Sequence, residues 1–325
     1  MKTIKNTTML FMFVGLIFSS QERVNALGGN AAFWPEDEAN ISVFPQTVNN
    51  FNLANTDGDD FYVSWGDDMK FGFSGGSSSD FLKLSWGMNN MGVNFGLNMT
   101  PEVEGVGCED GTTDCAEYVA AEDAVNVVDL QYGMTLDGVG DVGVHFMNTT
   151  MHAHGDHFDY EDGMTLGASL RASRELWVFS HALLNFGYVA PEDEDAVMNL
   201  GADLFTHLDI ADNTVGLFAL GFGWTNEGED GDIHFPKMTF AVESAWTDWA
   251  TVRAGFTKNW SLTNTTSTGV TPSFGLGFNY GSFVLDMSVG SDIFTNPVQK
   301  VTGFESLNAS AFNLTYMWLI KYTKK

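Results

Sequence analysis

The run AFNLTYMWLIKY, residues 311–322, carries the clearest structural pattern in the chain. One parity of this run is entirely apolar or aromatic and consists of Phe312, Leu314, Tyr316, Trp318, Ile320 and Tyr322. The other parity contains Asn313, Thr315, Met317, Leu319 and Lys321. Alternate side chains of a β-strand point to opposite faces, so the run predicts a strand with one wholly apolar face. An ordinary half-buried strand of a soluble protein could also show this pattern. The pattern of the other segments distinguishes such a strand from one in a membrane barrel.

The same alternation recurs along most of the chain, between segments rich in turn-forming residues. The run MGVNFGLNM, residues 91–99, sets Met, Val, Phe, Leu and Met against Gly, Asn, Gly and Asn. The chain has 35 Gly, 27 Phe and only 7 Pro, a composition that suits many strands joined by tight turns. We therefore predict an all-β fold: a transmembrane, antiparallel up-and-down β-barrel of about 14 strands, within a range of about 12 to 16. A soluble β-sandwich or propeller is the structural alternative, but no propeller-like period of about 40 residues is visible.

The first residues have the features of a secretory leader. Lys2 and Lys5 precede an apolar run, Met9–Phe18, and Val24-Asn25-Ala26 supplies small residues for a cleavage site. We assign residues 1–26 to a signal peptide, 27–46 to an N-terminal lead or plug segment, and 47–325 to the barrel. The leader predicts export, and with the strand pattern it predicts location in the outer membrane of a Gram-negative bacterium.

The chain is strongly acidic, with a formal net charge of -28 and a pI near 4.2. Nucleic acid is therefore not expected as a partner, because binding it requires Lys and Arg to neutralise phosphates. Two interpretations of the acidity are open. The carboxylates either belong to solvated loops, or they favour cations and bind divalent metal.

The segment before the first strand carries a family resemblance. Gly28, Gly29, Glu38, Ala39, Asn40 and Pro45 resemble the N-terminal run of the outer-membrane long-chain fatty-acid and hydrocarbon transporters (FadL-type) and their PorV-type relatives. Phe44 and Gln46, on either side of Pro45, depart from that pattern. The resemblance implies a plug inside a barrel of about 14 strands. An unstructured periplasmic lead is the alternative.

The final strand is also similar to the C-terminal signal that the outer-membrane insertion machinery recognises. The aromatic alternation of Tyr316, Trp318 and Tyr322 carries the likeness, and the tail 323–325 departs from it. The expected partners are therefore outer-membrane lipid, this machinery and a small solute of unknown identity.

In a transmembrane barrel the polar parity of each strand faces the lumen. This rule predicts the following lumen-lining residues: Lys83, Asp129, His145, Arg171, His181, Asp203, His207, Asp209, Glu243, Arg253, Asp286 and Lys321. These groups either pair across strands and stiffen the barrel, or they line a polar path or binding site.

Two loops contain residues with metal or redox chemistry. Cys108 and Cys115 are close in an exported chain and predict a disulfide. HAHGDH, residues 152–157, matches the zinc-binding run of metallo-β-lactamase-fold hydrolases, and its candidate ligands are His152, His154, Asp156 and His157. A strand pattern follows it instead of the helix of that fold, so we expect either opportunistic divalent-metal binding or a solvated polar loop. No resident cofactor is expected.

The sequence thus predicts a non-enzymatic barrel for passive passage or uptake of small solutes, either porin-like or of the FadL type. The alternative is a structural or interaction barrel whose acidic extracellular loops dock a surface or secretion partner.

Overall fold

The computed structural model describes residues 21–76, 82–100, 124–152, 163–191, 195–227, 230–263, 270–289 and 312–318. The chain begins there with a short helix, α1 (Gln21–Ala26), and three 3-10 helices, Ala31–Phe33, Glu38–Ser42 and Pro45–Asn50. Sixteen strands follow in the described residues: β1 (Leu53–Thr56), β2 (Asp60–Gly66), β3 (Met69–Gly76), β4 (Leu82–Met88), β5 (Met91–Thr100), β6 (Ala124–Leu136), β7 (Gly140–His152), β8 (Gly163–Leu176), β9 (Phe179–Pro191), β10 (Val197–Ala211), β11 (Thr214–Glu227), β12 (Asp230–Thr247), β13 (Ala250–Ser261), β14 (Val270–Tyr280), β15 (Phe283–Val289) and β16 (Phe312–Met317).

These strands form one closed barrel in which each strand pairs antiparallel with its neighbours in the chain. The barrel closes between β1 and β16, where Leu53 lies opposite Met317 and Thr56 opposite Leu314. The predicted all-β, up-and-down barrel is confirmed, and its sixteen strands fall at the upper end of the expected range. The 311–322 run supplies the closing strand.

The barrel wall begins later than residue 47. Pro45 opens the third 3-10 helix, which continues to Asn50, and β1 starts at Leu53. Residues 47–50, which the sequence analysis assigned to the barrel, therefore belong to this helix. Proline at the first position of a helix is favoured because its missing N–H needs no partner there. No helix in the described residues is long and apolar enough to cross a membrane.

The outward face of the wall is apolar. On β16, Phe312, Leu314 and Tyr316 are 46%, 39% and 39% exposed, whereas Asn313 and Thr315 are buried. Outward apolar side chains recur on the other strands, among them Phe61, Leu84, Leu130, Phe186 and Phe222. Such a belt has no core to cover it and matches the lipid-facing surface of a transmembrane barrel.

The two ends of the barrel differ in the length of their connections. Short turns such as 67–68, 89–90 and 281–282 join strands at one end, which we call the short-turn end. Longer connections such as 101–123 and 290–311 join them at the other, the long-loop end. Trp177, Trp249 and Tyr280 are exposed in or beside short turns, where aromatic residues of barrels meet the membrane surface.

Residues 21–50, which we call the plug, lie inside the lumen. The first six of them, Gln21–Ala26, form α1 and overlap the segment that the sequence analysis assigned to the leader. The helix α1 contacts β13 to β16, while the third 3-10 helix contacts β3 to β6 on the opposite wall. Val24, Ile41, Phe44 and Val48 are completely buried. The plug therefore crosses the barrel from one wall to the other.

If the outward face of β6 lies against lipid, introducing a lysine at two depths on that face should change the free energy of unfolding by different amounts. Leu130 and Leu136 both face outward, but Leu130 is at the middle of the strand and Leu136 at its short-turn end. We expect Leu130→Lys to lower the free energy of unfolding in lipid by about 2–4 kcal/mol, and Leu136→Lys by at most about 1 kcal/mol, because a cation is penalised most at the bilayer midplane. Denaturant titration of barrels folded into vesicles measures both values. Equal losses would show that the outward face does not lie against lipid.

Candidate functional site in the barrel lumen

An apolar seam fixes one side of the plug to the wall. Leu27, Ala32, Phe33, Trp34 and Phe44 of the plug form a single buried cluster with Leu183, Phe205, Leu217, Ala219 and Ala241 of the strands. The ring centroids of Phe33 and Phe205 lie 5.0 Å apart. The His181 ring stacks on Phe205 with its centroid at 4.8 Å. Burying these side chains stabilises the plug by removing apolar surface from the water of the lumen.

The apolar wall residues were not among the predicted lumen residues. Leu183, Phe205 and Leu217 lie on the inward parity of β9, β10 and β11 and are at most 2% exposed. The signal was present in the sequence, because β11 reads TVGLFALGFGWTNE and is apolar on both parities through Ala219. A strand that is apolar on both faces is expected where lipid covers one face and packed protein the other.

A charged network ties the plug to β12, β13 and β15, next to this seam. Arg23 binds Glu243 through two hydrogen bonds of 2.9 Å and also pairs with Asp37 of the plug. Arg253 binds the same Glu243 at 2.6 Å and Asp286 at 2.6 Å. Two guanidinium groups thus share three carboxylates, and each buried charge meets an opposite charge.

Arg171 is the second charged tie. Its Nη2 lies 2.7 Å from Asp141 Oδ2 on the wall, and its Nη1 donates to Asn40 Oδ1 at 2.6 Å and to the Ala32 carbonyl at 3.1 Å. The guanidinium also lies over the ring of Phe44, 4.5 Å from the centroid. Arg171 therefore connects the wall to three separate positions of the plug.

Asn40 orders the plug itself. It is completely buried, and its Nδ2 donates to the carbonyls of Trp34 and Asp37 while its Oδ1 accepts from Arg171. One amide thus satisfies two backbone carbonyls of the plug and accepts a hydrogen bond from a charged side chain of the wall. Asn40 is one of the plug residues singled out from the sequence, and replacing it with an apolar side chain would leave these groups unpaired.

The wall of β5 to β7 is shaped for the plug backbone. Gly92, Gly133 and Gly143 lie where a Cβ would overlap Pro45 O, Gln46 Oε1 and Val43 O respectively. Asn94, two residues after Gly92, donates to the Ile41 carbonyl at 2.8 Å. Glycine lets the plug backbone approach the strands closely, so this inward face is complementary to one position of the plug.

Most of the predicted lumen residues lie inside the barrel. Asp129 Oδ1 accepts a hydrogen bond from His145 Nε2 at 2.8 Å, and Lys83 lies beside Asp129 across Gly96. Asp203 is buried and lies 3.6 Å from Lys237, and His207 packs 5.1 Å from the Trp34 ring. Asp209 shares the inward parity but is exposed close to the short-turn end of β10. Lys321 lies outside the described residues.

The remaining predicted residues divide between the plug and undescribed loops. Gly28, Gly29, Glu38, Asn40 and Pro45 all belong to the plug, and Glu38 is 6% exposed. Cys108, Cys115, His154, Asp156 and His157 lie outside the described residues, and His152 is the last residue of β7. Within the described part of the chain, no group of three or more His, Cys, Asp or Glu side chains is placed to hold a metal ion.

Asp141 and Lys70 are examples of inward residues that were missed although the alternation marks them. Asp141 shares the parity of Gly143 and His145, and it holds Arg171. Lys70 on β3 is 3% exposed and donates to Asn52 Oδ1 at 2.8 Å. Both lie close to a strand end, where sequence boundaries are least certain.

Two polar spaces remain beside the plug. The larger, of about 660 Å³, lies between the plug and the long-loop end and is lined by β8 to β13 together with the first 3-10 helix. The smaller, of about 230 Å³, lies at the short-turn end and is lined by residues including Gln46, Asn90 and Arg171. Arg171 lines the smaller space and donates to Ala32, which lines the larger one, so its side chain lies between the two.

These features define a class: a membrane-embedded, sixteen-stranded β-barrel whose lumen contains an ordered N-terminal plug. No protein-family profile matches the chain, and no curated protein matches it. Among solved structures it is similar to a bacterial polysaccharide outer membrane secretin, at 9% identity over 82% of this chain and 97% of that one, with a TM-score of 0.46. It is also similar to a substituted form of the Rh. blastica porin, at 12% identity over 80% and 89% of the two chains, with a TM-score of 0.34.

The glycine face predicts that added bulk displaces the plug. We expect Gly92→Ala to lower the free energy of unfolding by about 1–3 kcal/mol, because its Cβ would overlap Pro45 O and the overlap has to be relieved by moving backbone. Gly201→Ala is the matched control, since the Cβ there meets its nearest atom at an ordinary 3.6 Å. Unfolding titrations of both variants measure the difference. Equal stability of Gly92→Ala and the wild type would mean that the plug does not rest on β5.

Proposed function

We propose that this protein is an outer-membrane barrel for uptake or passive passage of small polar solutes through a plugged lumen. The observation that carries the proposal is the plug itself, with a polar space on each side of it. A barrel with a purely structural role needs no polar spaces at both ends of its lumen. The charged ties and the glycine face support a plug with one preferred position, as a gated path requires.

Location in the outer membrane is part of the proposal. The leader-like N-terminus, the apolar outward belt and the aromatic alternation of the closing strand support export, insertion and a lipid partner. The lumen charges are engaged with one another and with the plug, which supports a non-enzymatic role.

The N-terminal plug supports the resemblance to FadL-type and PorV-type proteins. The lining of the lumen does not support the fatty-acid or hydrocarbon cargo that this resemblance implies. An N-terminal plug inside the barrel is what the resemblance implies, although this wall has sixteen strands rather than about 14. The larger space has apolar lining residues such as Ala31, Val43 and Trp224, but amides and hydroxyls are placed among them, and these polar groups favour a polar cargo over an alkyl one. We therefore propose a polar solute.

Arg171 provides the test of gating. Arg171→Met keeps an unbranched, uncharged stem but removes the guanidinium and its bonds to Asn40, Ala32 and Asp141. Each hydrogen bond to a charged group contributes about 1.5–3 kcal/mol, so we expect the plug to loosen. Single-channel conductance in planar bilayers should be low for the wild type and several-fold higher for the variant.

Arg174→Met is the matched control, because Arg174 is on the same strand but donates to the exposed Gly138 carbonyl outside the lumen. Its conductance should equal that of the wild type. If wild type and Arg171→Met are both silent, passage through this lumen is not the function. A silent barrel that co-purifies with a surface or secretion partner would favour the interaction role instead.

A further inference from the structure

The larger lumen cavity has an unusual composition for this chain. Although the net charge is -28, no aspartate or glutamate is among the described residues that line the cavity. Its polar lining is dominated by amides and hydroxyls: Asn30, Ser169, Asn185, Asn199, Thr225 and Asn259. These residues come from the plug and from five strands, so the composition belongs to the assembled site and not to one segment.

The amides are held in place by neighbouring hydroxyls. Ser169 Oγ donates to Asn185 Oδ1 at 2.9 Å, and Thr225 Oγ1 donates to Asn199 Oδ1 at 2.6 Å. Nδ2 of Asn199 has no hydrogen-bond partner among the described residues. Because the oxygens of Asn185 and Asn199 each accept from a hydroxyl, the orientation of these two amides is fixed, and Nδ2 of Asn199 is itself buried beside the cavity.

The basic residues of the lining are neutralised by carboxylates that lie outside it. Lys237 Nζ is 3.6 Å from Asp203 Oδ1, and His234 Nε2 is 3.2 Å from Asp232 Oδ2. Neither carboxylate lines the cavity. The cavity therefore offers neither the carboxylates that a cation requires nor an uncompensated cation for an anion.

Glycines make one part of the cavity wall flat. Gly187, Gly201 and Gly223 lie on β9, β10 and β11, with Gly201 opposite Gly223 and Gly187 opposite Asn199. The three glycines add no side chains to this part of the wall, which is bordered by the side chains of Asn185 and Lys237. Such a surface suits a flat, rigid ring that presents C–H groups on its face and polar groups on its edge.

We propose that this cavity binds a neutral, polyhydroxylated solute of the mono- to oligosaccharide class. The inference rests on the proposed transport function and names its substrate class. A hydroxyl group both donates and accepts hydrogen bonds, and so does a carboxamide, so the lining matches a ring bearing several hydroxyls. The volume of about 660 Å³ lies within the range of small-molecule sites.

Binding can be measured on the full-length barrel in detergent by isothermal titration calorimetry. Maltotriose, lactose, sucrose and glucose serve as neutral probes, and glucuronate, putrescine and octanoate represent anionic, cationic and acyl solutes. We expect saturable binding of at least one neutral sugar and weaker binding of the other three classes. The proposal is wrong if none of the four sugars binds, or if a charged or acyl probe binds more tightly than all of them.

Variants locate the site. Asn199→Leu and Asn185→Leu keep side-chain size but remove the amides, and each should weaken sugar binding about tenfold. Asn98→Leu is the matched control, because Asn98 lies on the inward parity of β5, away from the lining residues, and its affinity should equal that of the wild type. Sugar binding that survives both cavity substitutions would place the site elsewhere and overturn the proposal.

Heat-modifiable migration on a gel establishes that each variant is folded. If an Asn variant does not fold, Gly201→Leu, which projects into the cavity from the flat wall, takes its place and should abolish binding. Vesicle swelling separates the two levels of inference. Sugar binding without passage of any solute would overturn the transport function alone, whereas passage without sugar binding would overturn the substrate class alone.

Discussion

The pairing of β1 with β16 is the constraint on which the rest of the structure depends. Hydrocarbon supplies no hydrogen-bond partners, so an open sheet edge within a bilayer would leave a row of unsatisfied backbone groups. Registering Leu53 against Met317 and Thr56 against Leu314 removes both edges. Once the wall is closed, every strand has a lipid side and a lumen side, and the period of two assigns each residue to one of them.

Closure creates a second problem, which the plug solves. A sixteen-stranded wall encloses more space than its own inward side chains fill, and that wall contains Arg171, Arg253 and Lys70 as buried cations. The plug supplies the carbonyl of Ala32 and the amide of Asn40 to Arg171. It also adds the carboxylate of Asp37 and the guanidinium of Arg23 to the network around Glu243. The charged groups of the lumen are thus paired between the wall and the plug. The two spaces are the volume that remains unfilled once the plug is packed against the wall.

The proposed function depends on these two spaces more than on any single residue. The aromatic and aliphatic seam around Phe205 holds one side of the plug, and the glycines of β5 to β7 receive the other. Between them, Arg171 lies at the boundary of the two polar spaces. A path for a solute would have to pass this boundary, so the contacts that stabilise the plug are the same ones that would regulate passage.

Much of this arrangement was accessible from the sequence, and the misses have physical causes. The inward placement of Asp129, Arg253 and Asp286 followed from alternation alone. Phe205 escaped because an apolar residue on the lumen parity is informative only when something apolar is known to pack against it. Arg171 was placed in the lumen, but its partner Asn40 lies 131 residues away in the chain, and no local pattern connects the two.

The barrel, and the side of the wall on which each strand residue lies, can be inferred from the sequence, because a two-residue period is a local property of extended backbone. The sequence also marked residues 27–46 as a segment distinct from the strands. Only the tertiary structure decided that residues 21–50 fold into the lumen, which charges meet there, and where an amide-lined cavity remains. Those outcomes depend on contacts between remote positions and on the volume left after both partners are packed, neither of which has a local sequence signal.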